Sequence, residues 1–401
     1  MSFIKIPTKG MRDFTPREME IREYVLSIMK ETYMSFGFEI IQTPIVEHIE
    51  NLTSNQGGEN EKLIFKVLKR GEKLDLEKAT NENDLVDSGL RYDLTVPLTR
   101  FYANNMNDLI SPFRAFQYGT VYRADRPQKG RFREFMQCDL DIFGEKTNLA
   151  EIELIEAIVT FLRRLSFNNF EIRINDRRIL LAMIASSGLP IEKANDILIS
   201  LDKLDKILVE GVKEELTRDG YDESKIDAYL KLFMEDSPLK EFCQNFEIDE
   251  NIVNSLDEIM KQVSEDLDCK IVFDPTLVRG MGYYTGPIFE IRVDDLASSV
   301  GGGGRYDNMV GNFINQSVPA CGFSIGFERL VLLLEERGFV IPSKKEKIAY
   351  VVSDKNNLSN ALKKANKDRN NNQIAAVYYR SKNYKHQKEV LESNGFTIIE
   401  D

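Results

Sequence analysis

Histidine and cysteine are scarce in this chain, and their scarcity removes whole classes of chemistry. Among 401 residues there are two histidines, His48 and His386, and four cysteines, Cys138, Cys243, Cys269 and Cys321, none of them in a CxxC pair. A zinc centre needs several such ligands at short spacing, so no metal site is expected from the protein's own residues, and the cysteines read as reduced and structural. No apolar run approaches the roughly 18 residues of a membrane span. The N-terminal stretch MSFIKIPTKGMRDFTP lacks the apolar core of a signal peptide. A cytoplasmic protein is the expectation. The run Gly301–Gly304 is not followed by Gly-Lys-Ser/Thr, which excludes a P-loop. A net charge of −12 argues against a protein that coats nucleic acid nonspecifically, though not against local basic patches.

What is present is the composition of a globular protein, 29% charged and 42% hydrophobic, with length enough for two or three cores. Thr15-Pro16-Arg17-Glu18 has the form of a capping box with proline at the first helical position. Ile21, Tyr24, Val25, Ile28, Met29 and Tyr33 then recur at helical spacing through Phe36. Gly37 stops that helix, and 38–44 reads as a strand ending at Pro44. Strands are expected at 63–68 and 89–96, the second with Arg91, Asp93 and Thr95 on one face. Residues 149–165 form a periodic helix, and 179–266 are helical in pattern throughout. Strands resume at 269–273 and 282–293. The chain ends in an αβ alternation: strands at 348–352, 374–379 and 396–399, helices at 358–367 and 384–393. That rhythm predicts a small parallel sheet.

The segment 121–144, VYRADRPQKGRFREFMQCDLDIFG, carries the chemistry. Arg123 ends one strand, and a loop with Arg126, Lys129, Arg131 and Arg133 follows. On the returning strand, 132–143, a period of two puts Phe132, Met136, Cys138, Leu140 and Ile142 on one face. Gln137, Asp139 and Asp141 take the other. Two readings stand: a hairpin with a solvated polar face, or a floor of acceptors for a cationic substrate beside a polyphosphate. Gly301–Gly304 likewise reads as a flexible turn or as a close approach to a ligand. Arg329, in the first turn of a helix at 328–337, opposes the helix dipole. It is either a snorkelling surface side chain or a phosphate ligand.

The literal string 121–144 resembles motif 2 of class II aminoacyl-tRNA synthetases, and in particular that of the histidyl-tRNA synthetases. LVRGMGYYTG at 277–286 is similar to that family's RGxxYY signature. GGGGRYD at 301–307 and GFSIGFERL at 322–330 resemble its second signature and motif 3. The capped helix and the strand to Pro44 resemble motif 1, which builds a dimer interface.

The resemblance implies an α+β fold, with an antiparallel six-stranded sheet flanked by helices. The organisation read from it is a catalytic core at 1–175 and 267–340, a helical insertion at 176–266, and an anticodon-binding-like α/β domain at 345–401. That last domain ends after its third strand, short of the family's full length. The activity implied is histidine–tRNA ligation, using L-histidine, ATP with Mg2+, and tRNA(His), in a homodimer. Arg123 would meet the α-phosphate and carboxylate, Arg279 the α-phosphate, and Arg329 the ATP tail, these three being catalytic. Asp125 would meet the adenine amino group. Asp93, Thr95 and Gln137 would hold the ammonium group, and Asp141, Tyr283 and Tyr284 the imidazole, with Arg123 and Arg279 beside the substrate.

Arg126, Gln128 and Arg131 are candidates for reading the tRNA acceptor end. Three positions depart from the family pattern. Asp125 and Asp93 stand where glutamate occurs in many or some members, and Gly282 where many have aspartate. Two other functions share these features. One is a catalytically silent paralogue, acting as a histidine sensor or as the regulatory subunit of ATP phosphoribosyltransferase. The other is an adenylate-forming enzyme that charges a different carrier.

Overall fold

The computed structural model describes residues 3–53, 60–128, 130–234, 237–279, 282–293, 299–342 and 345–400. They divide into two units at Gly338/Phe339. In the first, the strands are β1 (Glu39–Ile41), β2 (Val46–His48), β3 (Lys66–Leu68), β4 (Val86–Leu90), β5 (Phe113–Tyr122), β6 (Glu134–Phe143), β7 (Phe170–Asp176), β8 (Lys270–Phe273), β9 (Pro287–Val293), β10 (Gly301–Arg305) and β11 (Ala320–Gly326). Eight of them form one sheet in the order β1-β5-β6-β11-β10-β9-β7-β8. The run from β5 to β7 is antiparallel throughout. The expected six strands are therefore present, with a parallel strand added at each edge, β1 on β5 and β8 on β7. The strands β2, β4 and β3 make a separate small sheet.

One face of the large sheet is apolar for the reason the alternation gives. Cys138, Leu140 and Ile142 of β6, with Phe323 and Ile325 of β11, are buried. The helix Leu149–Arg164 packs against β6 and β11, burying Leu154, Ile158 and Phe161. Its Glu151 is fully buried and receives Arg305 Nε at 2.7 Å and Nη2 at 2.8 Å. Its other donors go to the carbonyls of Glu145 and Thr147, both at 3.0 Å, and to Asp307 Oδ1 at 3.5 Å. Every contact of this arginine is structural. The helix Pro16–Ser35 starts at the capping box read from sequence, with Thr15 N donating to Glu18 Oε2 at 2.7 Å. Arg22, one turn in, makes a buried two-point pair with Glu328 at 2.6 and 2.8 Å, tying this helix to Phe327–Glu336.

Several local expectations are corrected. The strand expected at 89–96 ends at Leu90, and Thr95 opens a helix, Thr95–Asn105. The Val96-Pro97 pair sits in the first helical turn, where a missing proline N–H costs nothing, and Asp93 Oδ1 accepts from Val96 N at 3.1 Å. The strand expected at 63–68 is a short 3-10 turn followed by β3. The strand at 132–143 begins only at Glu134, and that at 282–293 only at Pro287. The glycine run 301–304 is not a turn. It is the body of a central strand, β10, because its neighbours leave no room for side chains: a Cβ on Gly304 would lie 2.5 Å from Pro287 O, and one on Gly301 2.6 Å from Phe323 Cε1.

Between β7 and β8 the described residues form helices and turns only, Arg177–Ser186 through Glu250–Leu267. The second unit holds β12 (Lys347–Val352), β13 (Ile374–Tyr379) and β14 (Phe396–Glu400), all parallel, in the order β13-β12-β14. Tyr350 and Val352 pack with Ala361, Ala365 and Ala375 on one side, and Ala349 and Val351 with Leu391 on the other. No helix among the described residues is long and apolar enough to cross a membrane.

Breaking a buried ion pair by removing one partner strands the other. Glu151→Ala is expected to lower stability by about 3–5 kcal/mol, seen as a fall in urea midpoint at constant m. An unchanged midpoint would contradict the anchoring role given to Arg305 and Glu151.

Candidate active site

The polar face of β6 is not solvated. Asp139 and Asp141 of β6, with Gln117 of β5 and Asp93, are buried at 0 to 3% exposure, and Gln137 is half-buried, which excludes a solvated hairpin face. Strand register explains how three acceptors fit side by side. Gln137, Asp139 and Asp141 lie opposite Gly119, Gln117 and Ala115 on β5, and opposite Gly326, Ser324 and Gly322 on β11. Small neighbours flank the long ones. A Cβ at Gly322 would stand 2.8 Å from Asp141 Cγ and 3.1 Å from the Tyr306 ring, so only glycine lets Asp141 lie across the strand.

Donors do not match acceptors on this floor. Gln117 Oε1, Gln137 Oε1, Asp139 Oδ1 and Asp141 Oδ2 are buried without hydrogen-bond partners. Gln137 Nε2 donates to Ser324 Oγ at 3.1 Å, which fixes the side chain. The Tyr306 hydroxyl donates to Asp141 Oδ1, and sequence reasoning missed this tyrosine. Burial pushes the Asp141 carboxyl up to about 7, with the Tyr306 bond opposing the shift and Asp93 adding to it. Burial, then the charge of Asp141, raises Asp139 well above the usual carboxylate range. Tyr283 and Tyr284 close the same region, with ring centroids 4.9 Å apart, and Tyr306 lies 5.8 Å from Tyr283. Tyr283 also meets the Thr95 hydroxyl, which brings Thr95 to the site although it stands on a helix. Arg91, expected beside Asp93, is spent on the carbonyls of Thr120 at 2.8 Å and Thr43 at 2.9 Å.

The three arginines border this floor. Arg123 donates through Nε to Tyr92 O at 3.0 Å and lies over the Tyr92 ring at 4.2 Å and the Phe135 ring at 5.2 Å. Among the described residues its terminal nitrogens carry no hydrogen bond. Arg279 lies over Gly302, where a Cβ would stand 2.5 Å from its Cζ, so the glycine strand provides its seat. Burial acts against the Arg279 charge, but Tyr284, Glu290 and Asp202 outweigh it and raise its pKa. Arg329, third residue of its helix, donates Nη1 to Ser299 O at 3.0 Å. Burial lowers its pKa, and the charges of Arg131 and Arg279 lower it further. Arg329, buried within the field of Arg131 and Arg279, favours an anion beside it.

The loop after Arg123 folds back through Gln128 and Arg131, which exchange backbone hydrogen bonds at 2.9 and 3.2 Å. Arg126, Gln128 and Arg131 are exposed, and Lys129 lies outside the described residues, as do Gly280 and Met281 of the 277–286 signature. Asp125 stands 3.6 Å from Arg131. Arg133 is drawn into the loop's own structure, through Nε to Asp125 O at 3.0 Å and its backbone N–H to Gly10 O at 2.8 Å. Among the described residues no cluster of His, Cys, Asp and Glu is built to cage a metal ion.

The family model described as histidyl-tRNA synthetase matches residues 10–330. The histidine–tRNA ligase of Leifsonia xyli subsp. xyli is 45% identical over 344 residues, covering 82% of this chain and 80% of that protein. A probable histidine–tRNA ligase of Tropheryma whipplei (strain Twist) is 42% identical over 358 residues, covering 84% and 82%. Among solved structures, histidyl-tRNA synthetase from Nostoc sp. PCC 7120 matches with a TM-score of 0.78 at 25% identity, across 100% of this chain and 92% of that one. The antiparallel sheet, its signatures and these relatives agree: the chain belongs to the histidyl-tRNA synthetase family.

Proposed function

We propose that the protein is a histidine–tRNA ligase. A carboxylate oxygen of L-histidine attacks the α-phosphorus of ATP, the bond to the bridging oxygen breaks, and pyrophosphate leaves. A ribose hydroxyl at the end of tRNA(His) then attacks the histidyl carbonyl, loses its proton, and AMP leaves as the bond to the α-phosphate breaks. The observation that carries this reading is the juxtaposition of buried, donor-less acceptors with three convergent arginines. A substrate with an ammonium group and an N–H-bearing ring at one end, and a carboxylate meeting a phosphate at the other, complements both halves.

In that reading Asp93, Thr95 and Gln137 bind the ammonium group. Asp141 accepts from one imidazole nitrogen, Tyr284 serves the other, and Tyr283 lies alongside. Tyr306 holds Asp141 in place. Arg123 and Arg279 meet the charge that develops on the α-phosphate and carboxylate, Arg329 the terminal phosphates, and Asp125 the adenine amino group. Magnesium would come with the nucleotide and would supply charge neutralisation at its phosphates. A pocket that pairs both ring nitrogens leaves buried groups unpaired when another amino acid enters, giving roughly 10⁴-fold rejection without editing. The exposed Arg126, Gln128 and Arg131 suit the acceptor end of tRNA. A silent histidine sensor has no use for Arg123, Arg279 and Arg329 together. Cytoplasmic location belongs to the same reading, as does a homodimer.

Histidine-dependent exchange of labelled pyrophosphate into ATP tests the activity. Exchange is expected in the parent, and Arg279→Ala should lower it by about 10²–10³ with little loss of folding. Histidine binding without exchange in the parent would favour the sensor. The dimer rests on the helix Pro16–Ser35 and on β1, an edge strand with Ile40 43% exposed. Light scattering at micromolar concentration should give twice the chain mass, and a monomer there would contradict it.

A further inference from the structure

The charges behind Arg279 form a chain that the reaction above does not use. Glu290, on β9, is 6% exposed and shares a sheet row with Gly302 on one side and Arg173 on the other. Its two oxygens are divided between two arginines. Oε1 accepts from Arg292 Nε at 2.6 Å, while Oε2 stands 3.5 Å from Arg279 Nη1. Arg292 in turn reaches Asp205 Oδ2 through Nη2 at 2.7 Å, and Asp205 belongs to the helix Leu204–Arg218, between β7 and β8. Arg173 does not share the load, because it pairs with Glu171 at 2.9 Å and Asp274 at 3.0 Å.

A buried carboxylate needs a counter-charge. At 2.6 Å Arg292 supplies it through a short charge-assisted bond, whereas 3.5 Å is past the range of a good one. Arg279 is thus the loosely held partner. Without Arg292, Arg279 would be the one arginine left in contact with Glu290, Arg329 sensing its charge only at longer range. Moving Arg279 onto a phosphate would then leave an uncompensated carboxylate beneath the site.

We propose that Arg292 is a positioning residue for activation: by neutralising Glu290 it keeps Arg279 free to engage the α-phosphate, and Asp205 fixes Arg292 from the helical segment. This rests on the reading of Arg279 as a phosphate-binding group. The transfer is purely electrostatic, and no bond to Arg292 forms or breaks.

The pyrophosphate-exchange assay on the full chain separates the outcomes. Arg292→Met is expected to lower kcat about tenfold with KM for histidine within about twofold. Adding Glu290→Gln in the same chain should recover most of the lost rate, because the carboxylate that traps Arg279 is gone. A merely structural role for Arg292 predicts no such recovery. If Arg292→Met does not fold, Arg292→Gln, which keeps a donor toward Glu290 but no charge, carries the same expectation. Parent-like kcat in the Arg292 variant, or a double variant no faster than the single one, overturns the proposal while Arg279→Ala remains impaired. If Arg279→Ala itself exchanges like the parent, the underlying reading of Arg279 has failed, and the proposal with it.

Discussion

Burying a carboxyl group beside other acceptors is costly, and the middle of this sheet does so repeatedly. An unpaired buried acceptor costs roughly 1–3 kcal/mol, and Gln117, Gln137, Asp139 and Asp141 each leave one oxygen without a donor. The surrounding structure is arranged around that burden. Gly322 gives Asp141 its space, Tyr306 satisfies one of its oxygens, and Ser324 orients Gln137. The compensating cations stand beside the floor rather than on it. Arg123 is held back by Tyr92 O, Arg279 by Glu290 and its glycine seat, and Arg329 by Ser299 O. Separation of the two charge signs is what a zwitterionic amino acid meeting a nucleotide requires, and it cannot persist unless the scaffold prevents the signs from collapsing onto each other.

The scaffold does this with structural ion pairs kept apart from the site. Arg305 spends its donors on Glu151, Glu145 O and Thr147 O, and Arg22 spends its own on Glu328. Both join a helix to a strand or helix of the sheet layer, so the floor is carried by a rigid frame. Such pairs are worth little as attraction alone, since desolvation offsets most of the Coulomb gain. Their strength lies in what is lost when one partner is removed.

Local order was legible wherever local periodicity decided the outcome. The capping box at Thr15, the helix from Leu149, and the elements Ile374–Tyr379 and Tyr384–Ser393 follow directly from pattern. The misread places share a cause in tertiary packing. A run of glycines has no side-chain period, so β10 looked like a turn, although its glycines are there because Phe323, Pro287 and Arg279 press against them. Thr95–Asn105 was hidden by Val96-Pro97, and by a carboxylate, Asp93, that serves the helix start. Most of the proposed site residues come from the resemblance rather than from spacing. Tyr306, though it stands in the 301–307 signature, and Gln117 were given no role. Tyr306 lies 165 residues from the carboxylate it meets, and Gln117 reads as an ordinary strand residue until β6 is laid beside it.

The Asp141 carboxyl stands at about 7 in the folded chain, against about 4 when unfolded. Its contribution to stability is therefore full below about pH 4 and is lost as pH rises through 7. In the proposed reading histidine brings an N–H to Asp141, which favours the ionised form, so binding near pH 7 is expected to expel a proton. Calorimetric titration with histidine at pH 7, in two buffers of different ionisation enthalpy, measures this directly. The account predicts net proton release at pH 7, smaller at pH 8.5 and lost in Asp141→Asn. Binding with no proton release in the parent, or with release unchanged in Asp141→Asn, would contradict it.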